Sequence, residues 1–220
     1  MVRRGDHVDR RHPHDREWHR LPRDRDPRRP RGAAVGHVTD IDAHDGSADA
    51  EETLVRSRPA APASDAARLI ARLDDLGWRI GVAESLTGGA VTAQLVAVPG
   101  ASAHVQGGVV AYATELKATL LGVDAEVLAL HGAVQPKVAR QMAEGVRGAL
   151  ALPGVEVQVG IATTGIAGPT SPDGQPVGTV HIAVSTPLGT RVESLQLDGD
   201  RDGIRAETVR RVIRLALDAL

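Results

Sequence analysis

Ser85 stands where a hydroxyl group could act as a nucleophile. A short apolar run, 80–83, is followed by Glu84–Gly89, which holds a carboxylate, two hydroxyls and two glycines before an amphipathic segment. This pattern predicts a strand, a tight turn and a helix. A serine at such a turn lies near backbone N–H groups that can stabilise an anion. A second interpretation stays open, because Ser or Thr before a helix is often only an N-cap and Gly-Gly often only a turn.

A lysine and a tyrosine offer a way to activate that serine. Only two of the 26 basic residues are lysines, Lys117 and Lys137, and Lys117 follows the single tyrosine, Tyr112, by five positions. A partly buried lysine with a lowered pKa, directly or through a tyrosine, can act as a base without histidine. The structural alternatives are that Tyr112 is a half-buried strand residue and Lys117 an exposed helix residue beside Glu115.

The elements that would position these groups can be predicted from residue 64 onward. Apolar runs predict strands over 79–84, 107–112, 155–162, 177–185 and 191–197. Helical periodicity predicts helices over 64–76, 114–121, 124–130 and 135–150. Two further helices are predicted, one that follows the turn at 84–89 and ends at about 96, and one that begins at Asp200. Helices and strands alternate first and a hairpin follows. We therefore predict an α/β fold, a three-layer α/β/α sandwich with a mixed, mostly parallel sheet and a C-terminal helix. Its ligand site should lie at the carboxyl ends of the strands.

The first 63 residues differ from the rest in composition. Arg, Asp, His and Pro dominate there, without helical or strand periodicity. We predict that residues 1–63 are disordered, or that they result from a misassigned start codon, and that residues 64–220 form the domain. A basic arm for nucleic acid is the alternative, which the aspartates between the arginines weaken.

Several other functional classes are disfavoured. The net charge is −2, cysteine is absent, and no apolar run approaches the length of a membrane span. No Walker-type or Gly-x-Gly-x-x-Gly loop is present, and His104, His131 and His181 do not have metal-ligand spacing. We expect a soluble, cytoplasmic protein with no cofactor or metal and no nucleic-acid or membrane partner. Apolar surface on helices rich in small residues favours a homodimer.

Ala83–Gly89 reads Ala-Glu-Ser-Leu-Thr-Gly-Gly, which resembles the Ala-Glu-Ser-Cys/Leu-Thr-Gly-Gly signature of the CinA C-terminal domain family. Standalone members of that family include nicotinamide-nucleotide amidases. The resemblance extends in order over about 64–220. It passes through Val98–Ser102, Gly107–Tyr112, Lys117, Leu121–Val123, His131–Val134, Met142–Gly145, Thr164–Pro169, Pro176–Val180 and Gly199–Arg201.

The resemblance implies an amidohydrolase that converts nicotinamide mononucleotide to nicotinate mononucleotide and ammonia. Carried over to this chain, Ser85 is the nucleophile, and Tyr112 and Lys117 are the activating pair. Backbone N–H groups near Thr87–Gly89 would hold the oxyanion, and Arg201 would meet the substrate phosphate. The expected substrate-binding residues are Thr87, Gly88, Gly89, Thr164, Gly165 and Arg201.

Three positions depart from the family pattern. Leu86 replaces the more frequent cysteine, Gln135 stands where serine is usual and alters a helix cap, and the loop 170–175 differs in a region that could shape specificity. Two other functions stay open: a non-catalytic binding module, suggested by the family's competence and DNA-damage associations, and an amidase for another carboxamide.

Overall fold

The computed structural model describes residues 64–171 and 174–220. The prediction for residues 1–63 lies outside these ranges, as does part of the loop 170–175. The described elements, in chain order, are α1 (Asp65–Leu76), β1 (Ile80–Glu84), α2 (Ala90–Val96), a 3₁₀ turn (Ala101–Ala103), β2 (Val105–Val110), α3 (Thr114–Leu121), α4 (Ala125–His131), α5 (Pro136–Ala149), β3 (Val159–Gly165), β4 (Thr179–Thr186), β5 (Gly189–Gln196) and α6 (Arg201–Leu217).

The strands form one mixed sheet in the order β2-β1-β3-β4-β5. β1 pairs in parallel with β2 and β3, whereas β3–β4 and β4–β5 are antiparallel. β5 therefore runs in the direction of the three parallel strands, and β4 opposes the others. The predicted three-layer α/β/α sandwich with a mixed, mostly parallel sheet is confirmed. The carboxyl ends of β1, β2 and β3 meet at one edge.

The two faces of the sheet carry side chains of different size. Large residues on one face, such as the row Val82, Ile161 and Val184, pack against α1, α2 and α6. The neighbouring row on the other face is Ala83, Ala162 and Ala183, and it packs against α3, α4 and α5. The small residues let α5 lie close to the sheet. A side chain at Gly160, for example, would place its Cβ 2.0 Å from the Ala143 carbonyl oxygen.

Local capping explains why most predicted helix ends are correct. The Ser64 hydroxyl accepts a hydrogen bond from the Ala67 amide, and Gly77 ends α1 with a left-handed φ of 63°. Asp200 caps α6 by accepting from the Gly203 amide at 2.8 Å. In contrast, Gln135 makes no side-chain cap at the start of α5 and donates instead to the His131 carbonyl at 2.8 Å. The altered cap expected at this position is therefore confirmed.

Most strand ends differ from the prediction by one to four residues, and two of the differences bear on the cavity. β3 was expected over 155–162, but Val155 forms a small bridge with Leu152, and the strand continues through two buried threonines that pair with β4. β2 was expected to include Tyr112, but it ends at Val110. Tyr112 consequently belongs to the loop that leads into α3.

Candidate active site

Glu84 is the last residue of β1 and Ser85 follows it, and their side chains lie on opposite sides of the sheet. The buried Glu84 carboxylate lies on the α2 side. It accepts hydrogen bonds from the amides of Gly89, Val91 and Thr92 at 2.9, 3.1 and 2.9 Å, and from the Thr92 hydroxyl at 2.7 Å. A carboxylate at a helix N-terminus satisfies its free N–H groups and its partial positive charge. The amides of Gly89, Val91 and Thr92 at the start of α2 are thus already bonded to a carboxylate of the protein itself.

Two of the amides expected to hold an oxyanion, those of Gly88 and Gly89, already have acceptors within the protein. The Gly89 amide donates to Glu84, and the Gly88 amide donates to the Ser85 carbonyl at 3.2 Å. The Thr87 side chain is buried, with its hydroxyl 2.8 Å from that of Thr163. None of the three lines the cavity described below. Both glycines have a positive φ, 60° and 98°, so the tight turn requires them for its shape.

A cavity of about 410 Å³ lies at the carboxyl ends of β1 and β3. It brings together six of the nine residues predicted for the site: Ser85, Tyr112, Lys117, Thr164, Gly165 and Arg201. Its remaining wall consists of small or apolar residues and one further threonine. These are Leu86, Thr114, Leu128, Gly132, Ala133, Val134 and Ala167.

Lys117 is the titratable group with the most unusual surroundings in this cavity. Only 1% of the residue is exposed, so the alternative of an exposed helix lysine is wrong. Its Nζ donates to the Ala111 carbonyl at 2.7 Å and to the Tyr112 carbonyl at 3.4 Å. Burial lowers the pKa of Lys117 to about 8, against a smaller opposing effect of Glu115. A substantial fraction of the amine is therefore unprotonated in mildly alkaline solution, as a general base requires.

Ser85 has a fixed backbone and an unengaged side chain. Its amide donates to the Thr163 carbonyl at 3.1 Å, which extends the pairing of β1 with β3 by one residue. The residue is 8% exposed, at the cavity. Within residues 64–171 and 174–220 the Ser85 hydroxyl has no hydrogen-bond partner, and the Leu86 and Thr87 amides have no acceptor. A hydroxyl and unpaired amide donors thus stand together at this turn.

Tyr112 and Arg201 meet on another side of the cavity. Tyr112 is 62% exposed, so it is not the half-buried strand residue considered above. Arg201 opens α6, donates to the Gly168 carbonyl at 2.7 Å and lies 3.4 Å from the Tyr112 hydroxyl. The tyrosine approaches Lys117 through its carbonyl and not through its hydroxyl. A proton relay from the hydroxyl to the lysine is therefore not formed in this structure.

The cavity wall 132–134 is held by two side chains that come from β3 and from the loop after it. The Thr164 hydroxyl donates to the Ala133 carbonyl at 2.8 Å, and the Gln175 amide donates to the Val134 carbonyl at 3.0 Å. Gln175 was not predicted as a site residue, since only the unusual loop sequence pointed to this region. Arg205, which contacts the turn after Ser85, was also missed. Its spacing of four from Arg201 is the one signal that could have found it.

Two of the three histidines considered in the sequence analysis have ordinary partners. His104 lies 3.1 Å from both the Trp78 carbonyl and Asp74, and His181 lies 2.8 Å from the Ser194 hydroxyl. Burial lowers the pKa of His181. The described part of the chain holds no cluster of three or more His, Asp or Glu side chains that could bind a metal. It also holds no helix that is long and apolar enough to cross a membrane.

Comparison with known proteins identifies the class of domain. A sequence profile of the CinA C-terminal domain family matches residues 63–220. The chain belongs to this family.

Solved structures share the fold. A CinA superfamily protein from Klebsiella pneumoniae 700603 is 33% identical and aligns with a TM-score of 0.64, over 70% of this chain and 94% of that chain. The competence/damage inducible protein CihA from Agrobacterium tumefaciens is 34% identical, with a TM-score of 0.61 over 72% of this chain and 99% of that chain.

A curated relative supports the same assignment. A CinA-like protein of Anaeromyxobacter dehalogenans (strain 2CP-1) is 49% identical over 154 residues, which cover 69% of this chain and 36% of that protein. The chain spans about a third of the length of the curated relatives it matches.

Proposed function

We propose that this domain is an amidohydrolase in which Ser85 is the nucleophile and Lys117 the base, and that it deamidates nicotinamide mononucleotide. One observation carries the reaction type. A buried lysine with its pKa lowered to about 8 shares a small cavity with a serine hydroxyl that has no partner among the described residues. A nucleophile paired with a nearby base is the general arrangement of covalent acyl transfer.

The reaction divides into two acyl-transfer steps. Neutral Lys117 takes the proton of the Ser85 hydroxyl, directly or through water, as the oxygen attacks the carboxamide carbon. The tetrahedral intermediate collapses when Lys117 returns the proton to the leaving nitrogen, and ammonia departs. Lys117 then deprotonates a water molecule that attacks the ester, which releases the carboxylate and restores the Ser85 hydroxyl.

The turn after Ser85 supplies candidate donors for the oxyanion. The Leu86 and Thr87 amides have no acceptor within residues 64–171 and 174–220, and Leu86 lines the cavity. These amides replace those of Gly88 and Gly89, which the protein uses internally. A preorganised donor of this kind typically contributes about 3 kcal/mol to lowering the barrier.

Arg201 is the proposed partner of the substrate phosphate. The cavity of about 410 Å³ falls within the ordinary size range of small-molecule sites. The Gly168 carbonyl fixes one Nη of Arg201, and the other faces the Tyr112 hydroxyl. A fixed guanidinium at the cavity edge suits a phosphate, because its donors match pairs of phosphate oxygens. The identity of the substrate rests on the family resemblance together with this charge.

Ammonia release from nicotinamide mononucleotide by the full chain, without added metal, tests the proposal. Ser85→Ala should abolish release, whereas Ser102→Ala, at an exposed serine, should not. Binding without ammonia release would favour the non-catalytic binding module. Release only from another carboxamide would keep the chemistry and replace the substrate.

A second comparison tests the role of Arg201. Arg201→Gln should raise KM for nicotinamide mononucleotide about tenfold, equivalent to about 1.4 kcal/mol. KM for nicotinamide riboside, which lacks the phosphate, should change little. An equal rise in KM for both compounds would remove the phosphate contact from the proposal.

The homodimer and the cytoplasmic location expected from the sequence remain predictions. Sedimentation velocity of the full chain would test the first.

A further inference from the structure

Arg205 contacts the turn after Ser85 from α6. Its Nε donates to the Leu86 carbonyl at 3.0 Å, and one Nη donates to the Thr87 carbonyl at 3.2 Å. The other Nη meets Asp202 at 3.3 Å. The side chain is one third exposed, so it forms a brace on the outside of the turn and is not a core residue.

These contacts fix two successive peptide groups. The carbonyl and the N–H of a peptide group point in opposite directions, so a donor on the Leu86 oxygen also sets the direction of the Thr87 N–H. The next peptide group is held at both ends, because Arg205 binds the Thr87 oxygen and the Gly88 amide donates to the Ser85 carbonyl at 3.2 Å. The Thr87 N–H, which has no acceptor among the described residues, belongs to the first of these two peptide groups. The Leu86 N–H, which likewise has none there, belongs to the preceding peptide group, whose Ser85 carbonyl accepts from the Gly88 amide.

We propose that Arg205 is a positioning residue for the nucleophile turn. Its hold on the Leu86 carbonyl orients the Thr87 N–H directly, and its hold on the Thr87 carbonyl supports the Leu86 N–H through the hydrogen bond from the Gly88 amide to the Ser85 carbonyl. Both N–H groups then keep the orientation needed to stabilise the oxyanion, and Arg205 does not touch the reacting atoms. The inference rests on the proposed function, because an oxyanion forms only if Ser85 attacks an acyl group. Arginine suits the role since its planar fork spans two acceptors, whereas the ammonium group of lysine is a point charge.

Oxyanion donors act only when they are already aligned with the developing charge. Without the Arg205 side chain, the Leu86 and Thr87 carbonyls would be hydrogen-bonded by water, and the Leu86–Thr87 peptide group would be free to rotate. We therefore expect a loss in kcat with little change in KM, because the phosphate contact proposed for Arg201 is untouched.

The experiment compares Arg205→Ala and Arg205→Lys with Arg210→Ala in the full chain. Arg210 lies on the same helix and its ion pair is with Glu207, away from the turn. Three readouts are needed: kcat and KM for ammonia release, the rate at which a fluorophosphonate labels Ser85 by intact mass, and the thermal unfolding midpoint. Labelling reports the nucleophile and its oxyanion donors without depending on the natural substrate.

We expect Arg205→Ala to lower kcat and the labelling rate about 10- to 100-fold, with KM changed less than about threefold. Arg205→Lys should recover only part of the loss. Added guanidinium ion, but not sodium chloride at the same concentration, should partly restore labelling of Arg205→Ala. Arg210→Ala should match the unsubstituted protein.

The outcomes separate this inference from the proposed function. A lower unfolding midpoint with unchanged kcat and labelling rate would make Arg205 a purely structural contact and overturn the inference. Labelling that depends on Arg205 without ammonia release from nicotinamide mononucleotide would support the inference and overturn the proposed substrate. Absence of both labelling and ammonia release in the unsubstituted protein would overturn both.

Discussion

Glu84 and Ser85 are neighbours in the chain, yet they belong to two very different faces of the sheet. On the side of α1, α2 and α6, large aliphatic residues fill the interface, and the Glu84 carboxylate accepts four hydrogen bonds. On the side of α3, α4 and α5 the sheet carries small residues, and a cavity lies at its edge. The Ser85 hydroxyl lines this cavity and has no partner in the part of the chain that the structure describes. Strand alternation thus separates a structural acid from a candidate nucleophile by one residue.

The comparison shows how a polar motif should be interpreted. An acid beside a candidate nucleophile suggests shared chemistry, but Glu84 is committed to the backbone of α2. Two kinds of group are better candidates for chemistry. One is a polar group that the fold leaves without a hydrogen-bond partner among the described residues, and the other is a titratable group whose charged form is destabilised by burial. Ser85 is of the first kind and Lys117 of the second.

Replacing Ser85 should have the largest effect on activity. Ser85→Ala should lower kcat at least about 1,000-fold, because the proposed covalent intermediate forms on the Ser85 oxygen. Its stability in urea should change by less than about 1 kcal/mol, since no hydrogen bond of the side chain within the described residues is lost. Ammonia release and urea unfolding measure the two quantities. A variant with near-normal turnover would place the chemistry elsewhere.

Lys117 should set the pH dependence of the reaction. Its pKa is lowered to about 8, and the neutral amine is the form that accepts a proton. The value of kcat/KM should therefore fall about tenfold per pH unit below pH 8 and level off above it. Lys117→Arg should lose at least about 100-fold in kcat. The pH profile of the free enzyme checks the assignment, and a profile that is flat from pH 6 to 9 would contradict it.

Glu84 should show the opposite pattern to Ser85. Glu84→Gln replaces one acceptor oxygen by an NH₂ group that faces amide donors, and this site is buried. We expect a loss of about 2–3 kcal/mol in the free energy of unfolding, measured in urea, with kcat per folded molecule within a few-fold of normal. A large loss of kcat at unchanged stability would mean that Glu84 takes part in the chemistry.

The sequence predicts helix ends better than it predicts which amides remain free. Ser64, Gly77 and Asp200 act through neighbours within a few residues, so local pattern is sufficient for them. Which amides stay free depends on the direction of the Glu84 side chain. Their orientation depends on Arg205, which is more than 100 positions from the turn it contacts. No periodicity or motif encodes that distant contact.

The strand ends illustrate the same limit. The two threonines at 163–164 look like the start of a loop, because polar residues commonly end an apolar run. In the structure they continue β3 and are buried, since β4 covers their backbone and their hydroxyls find partners at Thr87 and Ala133. Tertiary pairing therefore overrides local polarity at the residues nearest the cavity.

The smallest effect concerns the close contact of α5 with the small-residue face. At Gly160 an added Cβ would lie 2.0 Å from the Ala143 carbonyl, so Gly160→Ala should push α5 outward and cost about 1–3 kcal/mol in the free energy of unfolding. Gly148 is the matched control on α5, because a Cβ there meets nothing within 4 Å. Gly148→Ala should stabilise the protein by about 0.5–1 kcal/mol through helix propensity. Urea unfolding of both variants tests the comparison. If both substitutions change the free energy of unfolding by the same amount in the same direction, close packing of α5 on the sheet is not required for stability.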